Sequence, residues 1–518
     1  MTKTTPSLTQ KTAAGMAWLT GVQVGRQLLS IVSVSILARR IPAATYGLVG
    51  MAVLVTNLLE TIRDVGTGSA LIRERELPED LASTAFWLNC AAGTIVTIMV
   101  IALSWPAARF FHEPEVAKIL QFLSISFFLG SLGVVPTAVL SREMEFRKVA
   151  IAQTAGAVCA AATAITIALA GGKLSALIAA ALVMSFATTV TVWMLSPLHV
   201  KLIFNPADAR RILVFGLHLT GSQVMNYFSR NADNVLVGRF LGSGPLGYYQ
   251  MGYMLMTLPL QNFSIMMAQV TYPALARFAE DHERFRAAYL RTSSLVSLAT
   301  FPVMVGLGIT AQPFVRVFLG PKWMPVAALL VVFGPLGALQ SLTSTINLIY
   351  NTQARTDLLF RWQIFASICY VTSFVVGLRW GIVGVAVSYT IVWTLLMAPM
   401  LVIPFRLVGL TLKAFVRALW PTTWPTLVMA AITAIWLHGI RRLGMRNSVM
   451  ELFSTVVLGG AVYLGLILWQ KPPVLADLLI ALEGSSNPAA QFAARWFTRL
   501  VKLPKVWTAA TAEGPTSR

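Results

Sequence analysis

Charge is what this sequence has least of. Only 12% of its 518 residues are Asp, Glu, Lys or Arg, while 56% are apolar. A soluble chain carries about a quarter charged residues, so there is too little charge here for a water-facing shell around a core of this size. A mean hydropathy of +0.72 agrees. Acidic residues are scarcest, 20 against 40 Lys and Arg, for a net charge of +20. A basic excess suits nucleic-acid phosphates, but here it forms no single patch or arm. It comes in short clusters between long uncharged stretches, the pattern of juxtamembrane residues on anionic lipid. Membrane lipids, and no nucleic acid, are the expected surroundings. Cysteine is scarce too. Cys90, Cys159 and Cys369 lie in apolar stretches without a CxxC pair, and the five histidines lack ligand spacing. A disulfide framework, a metal site and a cofactor are not expected.

What the chain has in quantity is long apolar runs. A helix needs about 20 mostly apolar residues to cross the hydrocarbon core, because every backbone group must be paired within it. About fourteen runs qualify, near 13–38, 44–62, 81–104, 119–140, 149–170, 174–198, 212–238, 246–273, 290–311, 325–350, 358–378, 381–404, 416–437 and 450–470. No charged residue occurs between Leu81 and Ala108 or between Trp323 and Ala354. The first run contains Arg26 and reads as a retained span, not a cleaved signal. The expected class is therefore an all-α integral membrane protein. With both termini in the cytoplasm, about 25 Lys and Arg fall inside and about 12 outside, the direction of the positive-inside bias. In the tail after Gln470, Phe492, Trp496, Phe497 and Leu500 share one helical face and Arg495, Arg499 and Lys502 another. That pattern predicts an amphipathic helix lying at the interface.

A shift of 200 residues lays the first run on the seventh. Leu19-Thr20-Gly21 matches Leu219-Thr220-Gly221, Gln23-Val24 matches Gln223-Val224, and Arg39, Gly47 and Met51 match Arg239, Gly247 and Met251. The matches include Gly, Gln and Arg, which apolar composition alone does not produce, and point to a duplication. A unit of six spans is even, so both halves have the same orientation and pack about an axis along the membrane normal. This predicts two pseudo-symmetric six-helix lobes, 1–205 and 206–408, two further transmembrane helices in 409–470, and a cytoplasmic basic tail, 471–518.

An ionisable group at membrane depth costs on the order of 3 kcal/mol unless it pairs or meets water. Arg26 falls mid-way along the first span, and Arg230 and Asp233 fall in the seventh. Glu60, Arg63 and Asp64 lie at the end of the second. Arg230 and Asp233, three residues apart, could neutralise each other. Arg26 and Arg230 occupy corresponding spans of the two halves and predict a cationic lining between them, suited to a diphosphate held by paired hydrogen bonds. Tyr227, Tyr248, Tyr249, Tyr253 and Tyr272 gather on spans seven and eight, where they serve either a sugar or the membrane interface.

Four stretches resemble the polysaccharide flippases of the MOP superfamily (Wzx/WzxC-like exporters). They are Ala38-Arg-Arg-Ile-Pro-Ala-Ala-Thr-Tyr-Gly47, Ser141-Arg-Glu-Met-Glu-Phe-Arg-Lys148, Ser229-Arg-Asn-Ala-Asp-Asn-Val-Leu-Val-Gly-Arg-Phe-Leu-Gly242 with Leu246-Gly-Tyr-Tyr249, and Tyr272-Pro-Ala-Leu-Ala-Arg277. The resemblance implies twelve core helices in two lobes, often with two more, and alternating access to a cationic cavity. The implied substrate is an undecaprenyl-diphosphate-linked oligosaccharide in the bacterial inner membrane, with a polysaccharide polymerase or export machinery as further partner. Arg26, Arg230, Asp233, Tyr227, Arg63 and Asp64 are the expected cavity residues. Two other classes compete. A cation-coupled MATE-like antiporter is expected to place carboxylates, not arginines, at mid-membrane. A membrane polymerase or glycosyltransferase needs a large external loop with catalytic groups, and here the loops are short and no catalytic constellation occurs.

Overall fold

The computed structural model describes residues 8–475, apart from 64–66, 69–70, 72–77, 279, 344, 445–446 and 474. The described residues form helices and no strands. The first group is α1 (Leu8–Arg40), α2 (Ala43–Arg63), α3 (Glu79–Phe111), α4 (Glu115–Arg142), α5 (Phe146–Leu169) and α6 (Leu174–Leu195). The second is α7 (Pro206–Leu241), α8 (Ser243–Arg277), α9 (His282–Ile309), the short α10 (Ala311–Phe318), α11 (Met324–Thr343), α12 (Ile346–Thr352), α13 (Thr356–Gly377) and α14 (Gly381–Leu407). Two more follow, α15 (Leu412–Arg442) and α16 (Ser448–Gln470).

Every expected span coincides with helix, with two local differences. The tenth is broken into α11 and α12, and α10 with the turn Pro321–Trp323 intervenes between the ninth and tenth. Among the described residues eleven stretches are long and apolar enough to cross a bilayer, and one of them, Thr356–Leu407, holds two of the expected spans. α7 and α8, at 36 and 35 residues, are long enough to cross but are not among the eleven. The amphipathic helix expected after Gln470 lies outside the described residues.

Side chains that a soluble protein would bury face outward here. Trp105, Met194, Leu395, Ile435 and Phe453 are all well exposed, as a hydrocarbon surround requires. Inside, unpaired backbone groups are answered across helices. Pro136 in α4 cannot donate to the Leu132 carbonyl, and Trp193 Nε1 of α6 donates to it instead at 2.9 Å. Pro302 in α9 likewise frees the Leu298 carbonyl, which accepts from Tyr463 OH of α16 at 2.9 Å.

Helix starts are set by capping side chains. Asn205 accepts from Ala207 N ahead of Pro206 in α7, Asp281 from Arg284 N in α9, and Asn447 from Val449 N and Met450 N in α16. Gly242, at φ 89°, turns α7 directly into α8. On the face where α3 begins, Lys201 Nζ lies 2.6 Å from Glu79 Oε2, and this hydrogen-bonded carboxylate raises the lysine's pKa.

Within the first group α3 packs on α4 and α5 on α6. In the second, α9 packs on α11 and α13 on α14, the same pairing one repeat later. The groups meet chiefly where α2 crosses α8. α15 and α16 pack on α9 and α10.

Candidate functional site

The junction between the two groups is closed at one end by residues from both. α2 and α8 approach so closely there that a Cβ on Gly47 would overlap the Ser243 carbonyl, and one on Gly247 the Ala43 carbonyl. Small residues permit this separation and larger ones forbid it. One turn on, Gly50 faces the Gln250 side chain. Trp323 is fully buried beside this crossing and donates from Nε1 to the Ala38 carbonyl at 2.7 Å. Tyr46 and Tyr248 meet its ring edge-on, at 5.3 and 5.7 Å between centroids. Ala38, Ala43, Met251, Val315 and Leu319 complete an apolar plug around it.

Arg26 and Arg230 lie further from that end, on α1 and α7. Arg26 is half-buried and donates from Nη1 to Gln153 Oε1 on α5 at 2.9 Å. This amide is neutral, so the cationic charge is held in place without being cancelled. Arg230 is exposed. It forms no ion pair with Asp233, the pairing that their spacing allows. The helix surface divides between them, and Asp233 is turned into the second group at 6% exposure. Its Oδ2 accepts from Tyr249 OH at 3.0 Å, and its Oδ1 from the backbone N and side-chain Nδ2 of Asn234 at 2.8 and 3.1 Å. An aromatic wall surrounds it. Tyr249 and Tyr253 both meet Phe333 edge-on, and Gln340 Nε2 donates to Tyr389 OH at 3.1 Å nearby. Three donors and no cation face this carboxylate among the described residues, an arrangement that can accept a proton or a small cation.

Tyr227 is half-buried and links the groups directly, its OH donating to the Leu54 carbonyl of α2 at 2.6 Å. Arg63 ends α2, and Asp64 lies outside the described residues. The tyrosines of α7 and α8 do not share one surface: Tyr248 is at the plug, while Tyr249 and Tyr253 are inside the second group. Sequence reasoning missed Gln153 and Trp323. Neither carries a local signal, since each acquires its role from a partner over a hundred residues away. A groove of about 470 Å³ between α4 and α6, lined by Leu129, Leu132, Phe186 and Trp193, holds none of the expected site residues.

Comparison with known proteins places this architecture. The sequence pattern of the family described as polysaccharide biosynthesis proteins matches residues 36–328, more than half the chain. The lipopolysaccharide biosynthesis protein WzxC of Escherichia coli K12 is 26% identical over 449 residues, 84% of this chain and 89% of that protein. The succinoglycan biosynthesis transport protein ExoT of Rhizobium meliloti is 23% identical over 92% of this chain and 96% of its own length. Among solved structures, the lipid II flippase MurJ in an inward closed conformation superposes with a TM-score of 0.71 at 15% identity, covering 87% of this chain and 98% of that one. The fold is thus shared with that transporter.

Proposed function

This chain belongs to the polysaccharide biosynthesis protein family, and we propose on that premise that it is a flippase for lipid-linked oligosaccharides. It moves an undecaprenyl-diphosphate-linked O-antigen or exopolysaccharide unit from the inner to the outer leaflet of the bacterial inner membrane, with both termini in the cytoplasm. It performs no covalent chemistry. The names of its relatives support the class, one referring to lipopolysaccharide biosynthesis and another to succinoglycan transport, and the fold it shares serves a lipid II flippase.

The observation that carries the mechanism is the closure of the junction at one end. α2 and α8 seal one end through Gly47 and Gly247, while Arg26 and Arg230 stand deeper, with no carboxylate against either among the described residues. On this reading residues 1–205 and 206–408 act as two lobes that part alternately at either end. The diphosphate enters between them and is neutralised by the two arginines, while the polyprenyl tail stays in lipid. Tyr227, which joins the two groups through the Leu54 carbonyl, stands on the same path. Asp233 is the candidate for coupling the cycle to a proton or sodium gradient. A polysaccharide polymerase or export complex receives the product. Asp233 is also the feature an antiporter of the MATE type would need, but that reading leaves the two arginines without a role.

Mass spectrometry of lipid-linked saccharides in cells lacking the protein tests the proposal. A complete oligosaccharide unit should accumulate on undecaprenyl diphosphate, confined to the inner leaflet. An unchanged lipid pool would overturn the flippase reading and favour the antiporter.

A further inference from the structure

The repeat extends to the rim of the closed end. Arg39 ends α1 and Arg239 ends α7, 200 residues apart, and each reaches into the opposite group. Arg39 Nη2 donates to the Val317 carbonyl of α10 at 2.5 Å. Arg239 lies against the His112 ring between α3 and α4, with Nη1 2.7 Å from Nε2, and over the Phe110 ring at 5.4 Å. Neither guanidinium group therefore rests on a carboxylate. The nearby Glu113 accepts instead from Ser243 Oγ at 2.8 Å.

The surrounding face is short of counter-charge. Arg40, Arg109, Lys118, Arg316, Lys322 and Arg379 are exposed on it, and none of them joins an ion pair among the described residues. Its only described carboxylates are Glu113, Glu115 and Glu451, the last buried and held by Arg441 at 3.2 Å. The opposite face differs. There Glu145 pairs with Lys148, Glu79 with Lys201, Asp281 with Arg284 and Asp357 with Arg355. The second face thus ties four of its cations into ion pairs, whereas on the first only Arg441 is so paired among the described residues.

We propose that Arg39 and Arg239 form a second, exit-side site for the diphosphate of the lipid-linked substrate, latched shut here by the protein's own acceptors. This rests on the flippase reading above. When the lobes part at this end, Arg39 leaves Val317 and Arg239 leaves His112. Two guanidinium forks then flank the opening through which a diphosphate would emerge. A diphosphate accepts charge-assisted, two-point hydrogen bonds that outcompete those to a backbone carbonyl or an imidazole ring. Ligand and open rim therefore stabilise each other, because the ligand binds only the parted arrangement. The site passes the headgroup from the interior arginines to the outer surface.

The test uses the full chain in nanodiscs of zwitterionic lipid, with farnesyl diphosphate as probe. Gly50→Cys with Gln250→Cys places two thiols where the Gln250 side chain now meets Gly50, so oxidation fastens the rim and reduction releases it. Oxidation should weaken farnesyl diphosphate binding about tenfold or more. In the same pair carrying Arg39→Gln and Arg239→Gln, oxidation should change nothing. Binding insensitive to oxidation, an oxidation effect independent of the two arginines, or equal competition by phosphatidylglycerol would each overturn the exit site. The interior site is read separately. Arg26→Gln with Arg230→Gln should weaken what the oxidised protein still binds, and the absence of that loss would count against the flippase cavity without touching the rim result.

Discussion

Gly47 and Gly247 each occupy the place where the other's helix presents its first carbonyl, so that neither has room for a Cβ. The two glycines stand 200 residues apart, and α2 and α8 meet there reciprocally. A contact of this kind exists in only one arrangement of the halves. Gly47→Val should therefore penalise the closed rim selectively, by about 1–3 kcal/mol of overpacking, and shift the population toward an open rim by about tenfold to a hundredfold. A cysteine at Met251, buried in the plug at 4% exposure, would report it. Its labelling by a membrane-impermeant maleimide should accelerate by a similar factor while export falls. Unchanged labelling would mean that the crossing does not separate.

Arg230 is the interior cation with no described ion-pair partner, so reversing its charge should act on substrate and not on folding. Arg230→Glu is expected to abolish export at unchanged protein level, measured as surface polysaccharide against the amount of protein in the membrane. Arg26→Gln should lower export less and should also loosen α1 from α5, because Gln153 loses its donor. Full export by the Arg230→Glu chain would remove this residue from the substrate path.

The limits of the sequence show in these same residues. The helices were legible because a bilayer imposes one length and one composition on every crossing. That Gly47 and Gly247 touch was not legible, since a repeat gives equivalence and not contact. The three-residue spacing of Arg230 and Asp233 puts them near each other on α7, yet the boundary between buried and exposed surface runs between them, and that boundary is set by the packing of α8, α13 and α14 on α7. Trp323 in isolation reads as an interfacial anchor, and only the fold brings it under Ala38. Gln153 gives no signal at all until α5 lies against α1.

Asp233 separates charge from shape. Asp233→Asn keeps the volume, and with its Oδ1 still accepting from Asn234 its Nδ2 can donate to the Tyr249 hydroxyl oxygen, so the protein should fold with a thermal midpoint equal to or above that of the parent, a buried ionisable group having been removed. Tyr249→Phe leaves the carboxylate short of a donor and should cost about 1–3 kcal/mol. If Asp233 couples transport to a cation gradient, the Asn chain should still bind farnesyl diphosphate while export stops responding to an imposed proton or sodium gradient. Export that keeps its response to the gradient would take coupling away from this residue.

The attachment of α16 rests on a defect in another helix. Pro302 leaves the Leu298 carbonyl without its helical donor, and Tyr463 OH supplies one from α16. Within a membrane no water can stand in, so Tyr463→Phe should cost about 1–3 kcal/mol of stability. Pro302→Ala gives α9 back its own amide, and the Tyr463 hydroxyl then has little left to satisfy. The two changes should therefore be non-additive: in the Pro302→Ala background the Tyr463→Phe cost should shrink to a few tenths of a kcal/mol. Thermal unfolding of the four chains of this double-mutant cycle in detergent measures the coupling directly. Equal costs in both backgrounds would mean that the tyrosine holds α16 through packing against Leu298 and Met429 and not through the carbonyl.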